Sequence, residues 1–178
     1  MGYVGITAAA CLASQGHDVI GIDPNPTKVE AVLAGRSPVT EPGLNEMIAH
    51  AREQGLITAA TTLIPEVASC DLAIVCVGTP SAADGSHNMT YIAEITRQIA
   101  ELVKAYPDGN LTVAYRSTIR PGTMDELIQP IIDGILLDEA SRIELVYNPE
   151  FLRESSAVKD FFEPPKIVIG TKTGDRCV

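Results

Sequence analysis

The chain has 178 residues, 46% of them hydrophobic, a length and composition that suit one folded domain with a proper core. Its 13 Lys and Arg against 23 Asp and Glu leave a net charge of −10, which argues against nucleic acid or an anionic membrane surface as partner. No apolar run nears the ~20 residues that span a bilayer, and no basic segment followed by an apolar stretch and a cleavage site marks a secretory leader.

The chain opens Met1-Gly2-Tyr3-Val4-Gly5. Gly2 and Gly5 fit the second and third glycines of G-x-G-x-x-G, the dinucleotide-binding turn that follows a strand and opens a helix. The first glycine and its strand would lie before Met1, so the chain is expected to lack the first strand of its own sheet. Ile6 to Gln15, apolar and alanine-rich, predicts a helix packed closely on that sheet, ended by Gly16-His17. Asp18 to Asp23 reads as a short buried strand ending in an acid. Asp23 follows Gly5 by about 18 positions, close to the spacing at which such folds set a carboxylate on the adenosine ribose. That charge would repel a 2'-phosphate, so NAD is favoured over NADP. The competing reading of Asp23, a turn-former before Pro24, is weakened by the helix and strand that frame it.

Further along, Pro24 to Ala34 predicts a helix and Gly35 to Pro42 a loop. Gly43 to Gln54 predicts a second helix with Leu44, Met47, Ile48 and Ala51 on one face. Ile57 to Thr61 is a weak strand. Asp71 to Val77 is a continuous apolar run, as in a strand covered on both faces. Gly78 to Asn88 is a turn-rich loop, Tyr91 to Lys104 an amphipathic helix, Leu111 to Tyr115 a strand, Pro121 to Leu136 loop and helix. Ile143 to Tyr147 and Lys166 to Ile169 close the series as strands. The alternation predicts an α/β fold, Rossmann-like and doubly wound, with a mostly parallel sheet missing its first strand. Residues 1–178 are read as one partial domain, cut at its C-terminal end as well.

Ligands of such sheets bind beyond the carboxyl ends of the strands. Five segments fall there: Gly2 to Gly5, Asp23, Gly78-Thr79-Pro80-Ser81, Arg116-Ser117-Thr118 and Asn148-Pro149-Glu150. Gly78 and Pro80 alone could merely shape a turn, and Ser117 and Thr118 merely cap a helix. Five such segments on one edge make a cleft the better explanation. Cys11, Cys70, Cys76 and Cys177 form no C-x-x-C pair, and no His stands at metal-ligand spacing, so no metal site is expected and a reduced, cytoplasmic setting fits. His17, His50 and His87 are isolated and carry no assigned role.

Gly2-Tyr3-Val4-Gly5, Glu41-Pro42-Gly43-Leu44, Val77-Gly78-Thr79-Pro80, Arg116-Ser117-Thr118 with Pro121-Gly122-Thr123, and Asn148-Pro149-Glu150-Phe151-Leu152-Arg153-Glu154 occur in this order. Together they resemble the N-terminal domain of the UDP-glucose/GDP-mannose 6-dehydrogenases, over essentially the whole chain. The resemblance implies NAD as cofactor and a nucleotide sugar as substrate, its 6-hydroxyl oxidised to a carboxylate in two steps. It implies that Gly2, Tyr3, Val4 and Gly5 form the pyrophosphate turn and that Asp23 and Lys28 lie at the adenosine end. By the same resemblance Val77, Gly78, Thr79, Pro80, Ser81, Ser117 and Thr118 line the cofactor cleft. Glu150, Phe151, Leu152, Arg153 and Glu154 then reach the sugar, Glu154 also the nicotinamide. Glu150 is the expected acid/base and Thr118 a holder of the attacking water. From the residues alone, Glu150 and Glu154 read equally well as solvated charges.

The resemblance also implies a cysteine nucleophile in a later domain. None of the four cysteines here stands in that motif, so the chain alone is expected not to complete the oxidation. A homo-oligomer is expected of the full-length parent. Arg153-Glu154-Ser155-Ser156, Lys159-Asp160 and Pro164-Pro165 look closer to the GDP-mannose branch than to the UDP-glucose branch. Two other functions compete: another two-domain NAD-dependent hydroxyacid dehydrogenase, and a non-catalytic, truncated cofactor-binding fragment.

Overall fold

The computed structural model describes residues 1–80, 88–172 and 174. They fall into two compact units, Met1–Thr62 with Glu150–Ile167, and Leu63–Pro149 with the described residues from Val168 on. Helix and strand alternate and every strand pair is parallel, as βαβ connections require.

In the first unit, α1 (Tyr3–Ser14), β1 (Val19–Ile22), α2 (Pro26–Leu33), α3 (Leu44–Glu53), β2 (Ile57–Ala60) and the late α6 (Ala157–Phe162) share one core. α1 begins at Tyr3, not at Ile6 as expected. Tyr3, Val4 and Gly5 are thus its first turn, because the N–H of Ile6 already bonds the carbonyl of Gly2. The helix is buried at Ile6 and from Thr7 to Cys11, and its small side chains let α3, β1 and α6 approach closely. α2 starts at Pro26 rather than Pro24, since the Asn25 side chain accepts from the N–H of Thr27 and Pro26 takes the first helical position. Gly43 turns left-handed (φ 78°) into α3, which buries Leu44, Ile48 and Ala51 with Met47 packed beside them, the face that was expected. β1 pairs with β2 from Val19–Ile57 to Ile22–Ala60.

In the second unit, β3 (Leu72–Val75), β4 (Leu111–Tyr115) and β5 (Ile143–Tyr147) form a sheet with β4 in the middle. α4 (Thr90–Ala105) and α5 (Gln129–Leu136) pack on it. α4 buries Ile92, Thr96, Ile99, Ala100 and Val103, the i, i+4, i+7 pattern of an amphipathic helix. A π-helical turn, Met124–Ile128, leads into α5. At the centre of this core the Tyr115 hydroxyl lies 2.7 Å from Thr96 Oγ1, which in turn donates to the carbonyl of Ile92.

Three expectations are corrected. The strands form two sheets, not one: β1 pairs only with β2 and β3 only with β4 among the described residues. The strand ends expected on one sheet edge are therefore divided over two sheets. The apolar run from Asp71 to Val77 is a strand only over Leu72–Val75 and is not covered on both faces, Leu72 being 47% exposed. It is the edge strand of its sheet, and Cys76 and Val77 leave the ladder. Lys166 to Ile169 is not a strand. After Pro164-Pro165, which supply no N–H, the chain makes a single antiparallel bridge from Gly170 to Tyr147, and Ile167 and Ile169 remain exposed. Among the described residues no helix is long and apolar enough to cross a membrane.

Candidate functional site

The N-terminus of α1 offers free donors in the first unit. Gly2 enters it extended (φ −72°, ψ −172°), with no side-chain cap and no acidic residue in the first turn. The N–H groups of Tyr3, Val4 and Gly5 precede the first intrahelical bond and have no acceptor within the helix. A Cβ on Gly2 would meet nothing within 4 Å, so a ligand can approach the backbone here. Free N–H donors and the positive end of the helix dipole are what a phosphate requires.

Asp23 stands just beyond β1 and is 6% exposed. Its Oδ1 accepts from the N–H of Asn25 at 2.9 Å; its Oδ2 accepts from the Met1 amino group at 2.6 Å and from Lys28 Nζ at 3.1 Å. Burial alone would raise this carboxyl, but hydrogen bonds from the Met1 amino group, Asn25 and Lys28 outweigh it and hold the carboxyl below its ordinary range. Asp23 and Lys28, expected at the same end of a ligand, are thus brought together. An ionised carboxylate after β1 and open N–H groups at the start of α1 fit the ribose and pyrophosphate of a dinucleotide.

Behind that turn lies a cluster that the sequence reading missed. Glu41, 7% exposed, accepts from the Tyr3 hydroxyl, from the N–H of Ser155 at 2.9 Å and from the N–H of Ala157 at 2.8 Å. Burial raises the Glu41 carboxyl, yet the Tyr3 hydroxyl and the Ala157, Ser155 and Val158 N–H groups together lower it. Burial and the bond to Glu41 push the Tyr3 phenol up to about 12. The one available signal was the motif Glu41-Pro42-Gly43-Leu44, an acid in a loop before a left-handed glycine.

The segment expected to reach a sugar is tied down locally. Glu150 Oε2 accepts from the N–H of Leu152 at 2.6 Å. Phe151 lies under Lys166, whose Nζ is 4.1 Å from the ring centroid. Arg153 turns to Asp160 in α6, with Nη2 2.7 Å from Oδ1 and Nε 3.0 Å from Oδ2. Glu154 is exposed.

In the second unit, Val77, Gly78, Thr79 and Pro80 follow β3, and Ser81 lies outside the described residues. Ser117 is buried, with its hydroxyl donating to the carbonyl of Val77 at 2.7 Å and its N–H to that of Val75. It therefore fastens the end of β4 to the end of β3 and caps no helix. Thr118 next to it is exposed. The buried Nε of Arg116 finds no hydrogen-bond partner. Asn148 donates from its backbone to the carbonyl of Tyr115 and from its side chain to that of Val168. No group of three His, Cys, Asp or Glu able to hold a metal occurs among the described residues.

Residues 1–177 match the sequence model of the UDP-glucose/GDP-mannose dehydrogenase family, NAD binding domain. The chain is 38% identical to a GDP-mannose 6-dehydrogenase of Pseudomonas aeruginosa over 98% of its own length and 41% of that protein. It is 37% identical to a UDP-glucose 6-dehydrogenase of Rhizobium meliloti over 98% of its length and 38% of that protein. It superposes with a TM-score of 0.88 on the crystal structure of a ternary complex of GDP-mannose dehydrogenase from P. aeruginosa, at 37% identity, covering 96% of this chain and 39% of that one. The chain thus spans about two fifths of the length of these relatives. A match along nearly all of the chain means that the chain belongs to the UDP-glucose/GDP-mannose dehydrogenase family, in its NAD binding domain.

Proposed function

We propose that this chain is the cofactor-binding part of an NAD-dependent nucleotide-sugar 6-dehydrogenase, which oxidises the 6-hydroxyl of the sugar to a carboxylate. The observation that carries the reading is the pairing of open N–H groups at Tyr3–Gly5 with the ionised Asp23 beyond β1. NAD supplies the hydride acceptor when bound. The glycine turn holds its pyrophosphate, while Asp23, kept charged by hydrogen bonds from the Met1 amino group, Asn25 and Lys28, accepts from the ribose hydroxyls and disfavours a 2'-phosphate. By the family resemblance Val77, Gly78, Thr79 and Pro80 are further candidates for cofactor contact, while Ser81 lies outside the described residues and Ser117 fastens the ends of β3 and β4. Glu150 has Oε1 left to act on a proton or a water, since Oε2 is occupied by Leu152. By the family resemblance Thr118 is the candidate to hold a water and Glu154 the candidate to reach the nicotinamide.

GDP-mannose, giving GDP-mannuronate, is the preferred substrate, ahead of UDP-glucose, giving UDP-glucuronate. The support is the Arg153-Glu154-Ser155-Ser156 run, which resembles the GDP-mannose branch. The family resemblance puts the cysteine nucleophile in a later domain, and none of Cys11, Cys70, Cys76 or Cys177 stands in that motif, so this chain alone is not expected to complete the oxidation. The test is to incubate the purified chain with NAD and either GDP-mannose or UDP-glucose. NADH binding without NADH production is expected; turnover with either sugar contradicts the inactivity, and binding of NADPH as tight as NADH contradicts the cofactor reading.

A further inference from the structure

The glycine turn and the Glu150–Glu154 segment are far apart in sequence, yet one carboxylate ties them. Tyr3 is the first residue of α1, between Gly2 and Gly5, and its hydroxyl donates to Glu41. The same Glu41 side chain takes the N–H groups of Ser155 and Ala157, directly after Glu154. Ser155 also comes within 3.2 Å of the Tyr3 hydroxyl through its N–H. Ser155 holds a left-handed backbone (φ 66°) although it is not glycine, a conformation that persists only where surrounding bonds enforce it.

We propose that Glu41 is a positioning residue that fixes the Glu150–Glu154 segment against the glycine turn through Tyr3. A neutral side chain cannot replace it, because the Tyr3 hydroxyl and the N–H groups of Ser155 and Ala157, among others, converge on its two oxygens. The far end of the segment is pinned at Ser155 and Ala157, the near end turns on Glu150 and Leu152, and Arg153 is drawn to Asp160, so the backbone of the segment and the Glu150 carboxylate are held in one arrangement before any ligand arrives. Other ionisable groups near Glu41 are Tyr3 on α1, Glu154 beside the Tyr3 hydroxyl, and Lys159 and Glu163 of α6, which line a shallow depression with it. This inference rests on the nucleotide-sugar reading only for the use of the segment, not for its geometry.

The test is amide hydrogen exchange read residue by residue in the full chain, with an NADH titration alongside. In Glu41→Gln an amide NH₂ faces donors where an oxygen stood. Exchange at Ser155 and Ala157 is expected to rise by about tenfold or more, the effect of losing a charge-assisted bond, with amides inside α3 unchanged. In the unsubstituted chain the same two amides lose protection as pH falls through the Glu41 range, and that step is missing from Glu41→Gln. A side chain that only fills space gives no pH step confined to these amides. Unchanged exchange in the variant, or the absence of a pH step in the unsubstituted chain, overturns the proposal, and the second arm decides it even if Glu41→Gln fails to fold. Failure to bind NADH with the pH step intact sinks the functional reading and leaves the positioning role standing.

Discussion

Arg153 grips Asp160 with two guanidinium nitrogens, at 2.7 and 3.0 Å, and also gives Asp160 its backbone N–H at 3.0 Å. A residue expected to reach the sugar is thereby committed to its own α6. Asp160 is nearly buried while the Arg153 side chain is mostly exposed, so the pair shapes the segment and leaves only the outer guanidinium edge for a ligand.

Arg153→Ala and Asp160→Asn should each lower the thermal melt, and the double variant should lose little more than either single one, since both remove the same interaction. Fully additive losses, read by calorimetry, contradict the pairing. The hydrogen bond and charge of Arg153 hold the Asp160 carboxyl at about 2, below the unfolded value of about 3.9. The stabilisation is thus complete above about pH 4 and is lost as pH falls toward 2. Melts across that window should show a smaller acid-side loss in Asp160→Asn.

Asp23→Asn keeps the shape of the carboxylate and removes its charge. NADH affinity should fall by about tenfold or more, the loss expected for charge-assisted bonds, and the preference for NADH over NADPH should shrink. Parallel fluorescence titrations with both cofactors check this; an unchanged preference means that Asp23 does not read the ribose.

The buried pair of Tyr115 and Thr96 provides a stability test away from any ligand. Tyr115→Phe leaves Thr96 still donating to Ile92, so it should cost only about 1 kcal/mol. Thr96→Val strands a phenol in the core and should cost about 1–3 kcal/mol. Urea unfolding of both variants should rank them in that order, and the reverse ranking contradicts the hydrogen-bond assignment.

What could be read from the sequence was what local chemistry specifies. The runs Leu111–Tyr115 and Ile143–Tyr147 became strands with the expected ends, because each is apolar and closed by a polar residue or a turn. Lys28 is expected near Asp23 only through the family resemblance, and the structure sets its Nζ 3.1 Å from Asp23 Oδ2. The run Lys166 to Ile169 misled because its apolar residues have the strand pattern but no partner along their length, and partners are a matter of the whole fold. Glu41 was seen as part of a motif and not as a buried anchor, since its partners Ser155 and Ala157 lie more than 100 positions away. The family resemblance places Arg153 at the sugar, and no spacing rule reveals that it also pairs with Asp160. Long-range polar pairing, not hydrophobic periodicity, is the part of this site that one sequence conceals.

The central claim is that the glycine turn and Asp23 of this chain hold NAD. It is tested most directly by titrating the purified chain with NADH while following fluorescence, with the thermal melt recorded in parallel. The account predicts saturable binding and a melt raised by the ligand, as binding to the folded state alone requires. A cooperative melt that NADH leaves unmoved, with no saturable signal, would contradict it.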